Sequence, residues 1–323
     1  MTRLLDVQEL TTDVVTPARV IRPVDGVSFR VDAGEAVAIV GESGSGKSMT
    51  MLSVLQLLPP GGRIRSGKVN FNATDLTGLA ARQLRNYRGK EIGVIFQDPM
   101  TFLNPIQRIG IQVCEAISLH APPRSDARKI ALDTLARVGI PSPGVVFDYF
   151  PHQLSGGMRQ RVLIAIAIAC NPRLLIADEP TTALDVTTQA QIMTLLRDLR
   201  QDMGSSLILI THDLGLVAEY CDRVYVMYAG KIVEECTADQ LFEAPRHPYT
   251  RALLRSILTA DRRSDLFQAI PGQPPDLRHM PGGCRFHPRC DVALAKCATE
   301  APPSLDIGAD RKARCWLYAE GEI

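Results

Sequence analysis

The sequence lacks the features that mark several large classes of protein. Its charges nearly cancel, 36 Lys and Arg against 35 Asp and Glu, for a formal net charge of +1. Without a basic surplus there is no electrostatic footprint of a nucleic-acid binder, so DNA and RNA are not expected as main partners. No apolar run approaches the roughly 18–20 residues that a membrane span needs. The longest, Val162 to Cys170, reads as a buried helix. The N-terminus shows no basic region followed by an apolar one, so no secretory signal is expected and the chain is placed in the cytosol. Any membrane role must then come through a partner. Aromatic residues are sparse, 5% of the chain, and none precedes Phe29. There is no internal repeat and no low-complexity tract.

What is present is a chain of 323 residues, enough for one large or two modest domains with a real core. Its organising stretch is Gly41-Glu42-Ser43-Gly44-Ser45-Gly46-Lys47-Ser48, the G-x-x-x-x-G-K-S pattern of a phosphate-cradling loop. The flanks suit it. Ala36 to Val40 is a continuous apolar run, expected to be a buried parallel strand. Met49 to Leu58 reads as a helix stopped by Pro59 and Pro60. Strand, glycine turn and helix aim backbone N–H groups and a helix N-terminus at one anion. Lys47 can reach the β- and γ-phosphates, and the Ser48 hydroxyl can ligate Mg²⁺.

Further strands are expected at Leu4–Leu10, Val27–Val31, Arg63–Asn72 with a break at Gly67, Ile92–Phe96, Leu174–Ala177 and Leu207–Ile210. Val224–Tyr228 and Lys231–Glu235 should form a hairpin about Ala229-Gly230. Leu79–Tyr87 reads as a short basic helix, and Val186–Met203 as a helix closed by Gly204. Between Met100 and Phe150 helical periodicity replaces strands. There Ala127, Ile130, Ala131, Leu135 and Val138 share a face, with Ser125 or Asp126 as N-cap and Gly139 as stop. Strands alternating with helices imply an α/β fold around a largely parallel sheet.

Polar residues stand at the carboxyl ends of these strands, where open α/β sheets bind ligands. Asp178 ends a buried run and can hold Mg²⁺ through water; the adjacent Glu179 can take a proton from an attacking water. Gln97 and His212 follow strands in the same way, although a lone His is more often structural. Ser155-Gly156-Gly157 opens a helix with small residues and offers a second anion site. One chain has one phosphate loop, so the second anion site suggests that two chains sandwich the nucleotide.

These motifs, with Leu154 and Ala183-Leu184-Asp185, come in the order and spacing of an ATP-binding cassette (ABC) ATPase, which the chain resembles over residues 1 to about 235. The resemblance implies a P-loop NTPase (RecA-like) fold with a helical subdomain at about 98–158, ending near 236. It makes Gly41 to Met49 the nucleotide contacts, with Ser48, Gln97 and Asp178 around Mg²⁺ and Gln97 the Q-loop residue. Ser155 to Gly157 become the signature, Glu179 the general base, Asp185 the D-loop residue and His212 the switch histidine. The wording His152-Gln153-Leu154-Ser155-Gly156-Gly157-Met158-Arg159-Gln160-Arg161, Gln97-Asp98-Pro99-Met100-Thr101 and His247-Pro248-Tyr249 is similar to the oligopeptide/dipeptide importer ATPases. Nickel importers share much of it. The family usually stacks adenine on an early aromatic; by position that would be Val14, so the base contact departs from the pattern. The resemblance implies ATP and Mg²⁺ and a second, different ATPase subunit closing head to tail. It also implies two membrane permease subunits, an extracytoplasmic solute-binding protein acting indirectly, and a peripheral place on the cytoplasmic face of the inner membrane. A soluble ABC ATPase is the alternative from another class.

Of the eight cysteines, Cys114, Cys170, Cys221 and Cys236 are scattered singly and read as ordinary buried thiols. Cys284, Cys290, Cys297 and Cys315 crowd a Pro- and Arg-rich tail, residues 237–323, that can hardly build a core by itself. The C-x5-C-x6-C-x17-C spacing fits neither common zinc spacings nor classical ferredoxin runs. A cytosolic place argues against disulfides. Gly283 to Cys290 resembles the extension of the peptide importer ATPases, some of which carry a four-iron cluster there. An iron–sulfur cluster, zinc and unliganded thiols all stay open, with His287 as an alternative ligand.

Overall fold

The first strands, β1 (Arg3–Val15) and β2 (Val20–Asp32), are both longer than expected; β1 continues past its apolar run by burying polar Thr12 and Asp13. In this computed structural model the described residues are 2–120, 126–182, 184–261, 270–308 and 310–319; Ser125 and Ala183 lie outside them. The chain divides into two compact units. One comprises Met1–Val31, Ala36–Gly78 and Ile210–Ile323; the other comprises Asp32–Glu35 and Leu79–Leu209.

In the first unit β3 (Ala36–Val40) is wholly buried and leads through the glycine loop into α1 (Lys47–Val54). This helix stops at Leu55, short of the prolines, because Gln56 turns left-handed with φ 51°. β4 (Gly62–Phe71) pairs antiparallel with β1, and β5 (Thr74–Asp75) completes a four-stranded sheet in the order β2-β1-β4-β5. The break at Gly67 lies beside a bulge in β1: Gly67 has φ +97°, and a Cβ there would lie 2.6 Å from the Gln8 carbonyl oxygen.

The second unit opens with α2 (Ala81–Leu84), one turn where a longer helix was expected. β6 (Ile92–Ile95) follows, then α3 (Pro99–Phe102), α4 (Ile109–Ser118), α5 (Ala127–Arg137), α6 (Pro143–Val146) and α7 (Gly156–Ile168). Asp126 caps α5 by accepting the Lys129 N–H at 3.0 Å. Helices α4, α5 and α7 bury Ile109, Val113, Ile117, Ala131, Leu135 and Val162 among themselves. β7 (Leu174–Asp178), parallel to β6, and α8 (Val186–Met203) come next, then β8 (Ser206–Thr211); the strand order is β8-β7-β6.

Back in the first unit, α9 (Leu214–Tyr220) precedes the hairpin β9 (Arg223–Tyr228) and β10 (Lys231–Thr237). Ala229 and Gly230, both at positive φ, make its turn. β9 runs parallel to β3. After α10 (Ala238–Glu243) and α11 (Pro248–Asp261), the tail adds β11 (Leu305–Asp306) and β12 (Lys312–Ala313), giving the order β11-β12-β10-β9-β3.

The tail does build a core, against expectation. It borrows aromatic surface: Phe286 is 2% exposed and meets the rings of Tyr228 and Tyr249 at 5.2 and 5.4 Å. Cys297, Cys315 and Leu317 are buried as well. A few large side chains on an existing sheet replace the periodic apolar run that the tail lacks.

His247 sits inside this packing. Its main-chain N–H donates to Glu234 at 2.7 Å, and its Nδ1 accepts the Tyr249 N–H at 3.1 Å. Burial pushes the imidazole down to about 4 from an ordinary 6.5. Between those values the unfolded chain binds a proton that the folded chain refuses. Stability from the neutral ring is therefore complete above about pH 6.5 and lost as pH falls toward 4. Thermal melts followed by circular dichroism should show a falling midpoint across that window. The fall should be shallower in His247→Asn, whose amide oxygen can still accept the Tyr249 N–H. Equal slopes in the two proteins would show that His247 does not contribute.

Candidate nucleotide site

In the first unit the glycine loop needs its glycines for contact as much as for turning. A Cβ on Gly41 (φ +152°) would stand 2.1 Å from the Met227 carbonyl oxygen, and one on Gly46 (φ +105°) 2.3 Å from that of Pro23. The backbone is pressed between these strands, with Lys47 and Ser45 buried. Gly46 caps α1 without a side-chain bond, so no side chain at the cap competes with an anion for the N-terminus of the helix. Lys47 Nζ donates to the carbonyls of Gly41 and Glu42 at 2.8 and 3.0 Å. The buried Ser45 Oγ has no hydrogen-bond partner. A glycine cradle, an orphaned hydroxyl and a curled lysine fit a polyphosphate. Ser43, Gly44, Ser48 and Met49 complete the stretch; Ser48 is exposed and Met49 half-buried.

Val14 is half-buried at the end of β1, and its neighbours Val15 and Val20 are exposed. The Arg19 guanidinium on the same hairpin lies 3.1 Å from the His279 ring of the tail. His212 follows β8 and is exposed.

The second unit joins two of the expected residues directly. Gln97 Nε2 donates to Glu179 Oε2 at 2.9 Å, and Thr182 Oγ1 donates to the same oxygen at 2.9 Å. Glu179 holds φ 46°, a strained value for a residue with a side chain, as functional carboxylates often do. Asp178, before it, is 5% exposed at the end of β7. Ser155 caps α7 by accepting the Met158 N–H at 3.3 Å, with Gly156 and Gly157 in its first turn. A Cβ on Gly157 would lie 2.9 Å from the Thr188 methyl group.

Asp185 has a structural task that the sequence reading missed. It caps α8, accepting the Thr188 N–H at 2.9 Å and the Thr188 hydroxyl at 2.7 Å. These bonds hold its carboxyl below the usual range. The D-x-x-T spacing was the available signal.

The cysteines divide differently from expectation. Cys221 and Cys236 are buried, but Cys114 and Cys170 are only half-buried. In the tail, Cys284 N–H donates to the Cys297 carbonyl at 2.8 Å. Burial pushes the thiols of Cys284, Cys290 and Cys315 up, Cys290 to about 11, with smaller contributions from their mutual charge. Among the described residues, however, no group of three or more His, Cys, Asp or Glu is arranged to hold a metal ion, and His287 Nδ1 instead lies 2.9 Å from the Cys284 carbonyl oxygen.

Sequence reasoning also missed Tyr249 and Arg289. The Tyr249 hydroxyl accepts the Glu42 N–H at 2.8 Å, and Arg289 grips the Glu42 carboxylate at 2.7 and 3.0 Å. No helix among the described residues is long and apolar enough to cross a membrane.

Comparison with known proteins agrees with this geometry. Residues 24–182 match the family described as ABC transporter, and residues 233–297 match that described as oligopeptide/dipeptide transporter, C-terminal region. The oligopeptide transport ATP-binding protein AppD of Bacillus subtilis is 48% identical over 322 residues, covering 99% of this chain and 98% of its own length. The dipeptide transport ATP-binding protein DppD of Escherichia coli is 47% identical over 313 residues, covering 97% and 96%. A dimeric, post-hydrolysis structure of the ATP-binding cassette MJ0796 bound to ADP and Pi superposes with TM-score 0.65 at 29% identity, covering 73% of this chain and 99% of that one. With this near full-length similarity, tail included, the chain belongs to the ABC transporter ATP-binding proteins, in the branch that carries the oligopeptide/dipeptide transporter C-terminal region.

Proposed function

We propose that this chain is the ATP-hydrolysing subunit of a bacterial importer that energises uptake of di- or oligopeptides through partner membrane subunits. The observation that carries the reading is the similarity to peptide transport ATP-binding proteins, which runs through the C-terminal region as well as the cassette. A nickel importer or a soluble ABC ATPase has no comparable support.

In this reading Gly41 to Met49 cradle the phosphates and Lys47 neutralises them. Ser48, Asp178 and Gln97 carry oxygen donors that would suit Mg²⁺, and the ion would supply positive charge against the charge that develops on the phosphates. Glu179, held through one oxygen by Gln97 and Thr182, accepts the proton of the attacking water. His212 orients that water. Ser155 to Gly157 and Asp185 serve the nucleotide of a second ATPase subunit, a different paralogue closing head to tail. Two permease subunits and an extracytoplasmic binding protein complete the assembly, with this chain peripheral on the cytoplasmic face.

The test is co-expression with candidate membrane and ATPase subunits, purification of the complex, and ATPase assay with and without peptide-loaded binding protein. Hydrolysis stimulated by the loaded protein supports the reading. Stimulation by a nickel-loaded binding protein, or hydrolysis by a soluble complex lacking any membrane partner, overturns it.

The four tail thiols are proposed as the site of an iron–sulfur cluster or of zinc, on donor chemistry alone. Anaerobic purification followed by iron, acid-labile sulfide and zinc analysis is expected to find one of them near one site per chain. Substoichiometric iron and zinc would leave four unliganded thiols and end the proposal.

A further inference from the structure

Glu42 is the one acidic residue in the loop Gly41 to Ser48. A carboxylate in a phosphate cradle opposes a polyanion unless something neutralises it. In this chain the neutraliser comes from the tail, 247 residues away in sequence. Arg289 donates Nη1 to Glu42 Oε2 at 2.7 Å and Nη2 to Oε1 at 3.0 Å, the two-pronged pairing of a guanidinium with a carboxylate.

Arg289 has little freedom to do anything else. Its side chain is 5% exposed. Nε donates to the Pro271 carbonyl at 2.9 Å, and Nη1 also reaches the Tyr228 hydroxyl at 3.3 Å. Glu42 is held just as fully along its backbone. Its N–H donates to the Tyr249 hydroxyl, and its carbonyl accepts from Lys47 Nζ at 3.0 Å. The lysine of the cradle and the arginine of the tail therefore grip the same residue from two sides.

We propose that Arg289 is a positioning residue for nucleotide binding, cancelling the charge of Glu42 and fixing the start of the phosphate loop from the tail. This rests on the reading of Gly41 to Ser48 as the phosphate cradle. The tail is then part of the nucleotide site in its own chain, whatever its cysteines hold. An arginine that only anchored the tail would leave ATP affinity indifferent to the charge at Glu42.

The experiment measures the Kd of a fluorescent ATP analogue for the full-length chain. Arg289→Gln strands a carboxylate in the cradle and should weaken binding about tenfold, as removal of one partner of a close ion pair does. Measured in a Glu42→Gln background, the same Arg289→Gln change should cost about threefold or less, because the stranded charge is gone. The deficit of Arg289→Gln should shrink as salt is raised from 0.05 to 0.5 M, since screening weakens the repulsion. If Arg289→Gln does not fold, Arg289→Lys serves: it keeps the charge but gives up the two-pronged grip, and should weaken binding by less than about tenfold. Normal binding by Arg289→Gln overturns the proposal. So does a deficit that Glu42→Gln fails to rescue, or a tenfold loss in Arg289→Lys that Glu42→Gln leaves in place. Lys47→Ala tests the underlying reading separately. If it binds ATP normally, the cradle assignment itself fails. If it loses binding while the Arg289 series shows no rescue, only the tail's role fails.

Discussion

Replacing Glu179 by Gln is expected to lower ATP turnover by about 10²–10³-fold while leaving ATP binding within a few-fold of wild type, the usual signature of a lost general base. The substitution is nearly isosteric, so the neighbourhood of Gln97 and Thr182, both within hydrogen-bond reach at 2.9 Å, should persist. What disappears is a group able to take a proton. A phosphate-release assay with the assembled complex, alongside nucleotide-affinity measurements, separates the two effects. A variant that hydrolyses at more than a tenth of the wild-type rate would show that the proton leaves by another route. Retained geometry also predicts that the variant accumulates as an ATP-bound complex, visible as slow nucleotide release.

The largest loss of stability is expected at Arg311. Glu234, on β10, is completely buried. Its carboxylate accepts the Arg246 N–H at 2.9 Å, the His247 N–H at 2.7 Å and Arg311 Nη2 at 2.6 Å. Arg311 also donates to the Ala244 carbonyl at 2.6 Å. Arg311→Met removes the cation paired with a desolvated carboxylate, at a cost of about 3–5 kcal/mol. Glu234→Gln with Arg311→Met should recover part of this, because a neutral amide tolerates burial better than a stranded charge. Urea unfolding monitored by the single tryptophan, Trp316, would report it as a lower midpoint at unchanged slope. A midpoint shift below about 0.5 M would mean that water or another side chain takes over the carboxylate.

The parts legible in the sequence were those written in adjacent residues. The phosphate loop, the Asp178-Glu179 pair and Ser155-Gly156-Gly157 each fall where local pattern placed them, and α8 spans the expected Val186–Met203. Weakly patterned elements were misjudged. The basic segment at Leu79–Tyr87 shrinks to Ala81–Leu84, since little apolar surface there rewards a longer helix. The role of Asp185 as a cap was legible in principle but was hidden behind its motif. The grip of Arg289 on Glu42 was not legible at all. Nothing within the tail marks one arginine among several as the partner of a distant carboxylate, and only the folded chain brings them together. The core of the tail was underestimated for the same reason: Phe286 packs on Tyr228 of β9, outside the tail, and on Tyr249 of α11, far from it in sequence.

One small feature has a bearing on assembly. β12 covers β10 through only two residue pairs, Glu234 with Ala313 and Glu235 with Lys312, and β11 is equally short. A protein with an open sheet border risks recruiting strands from its neighbours. Here the border tapers over two-residue strands and ends beside the charged Asp306 and Lys312, which leaves almost no ladder for another molecule to extend. Cutting the chain after Thr237 would bare the length of β10 and its apolar Val233, turning a guarded margin into a template for self-association. A cassette expressed without the tail is therefore expected to self-associate, which light scattering against the full-length chain would show.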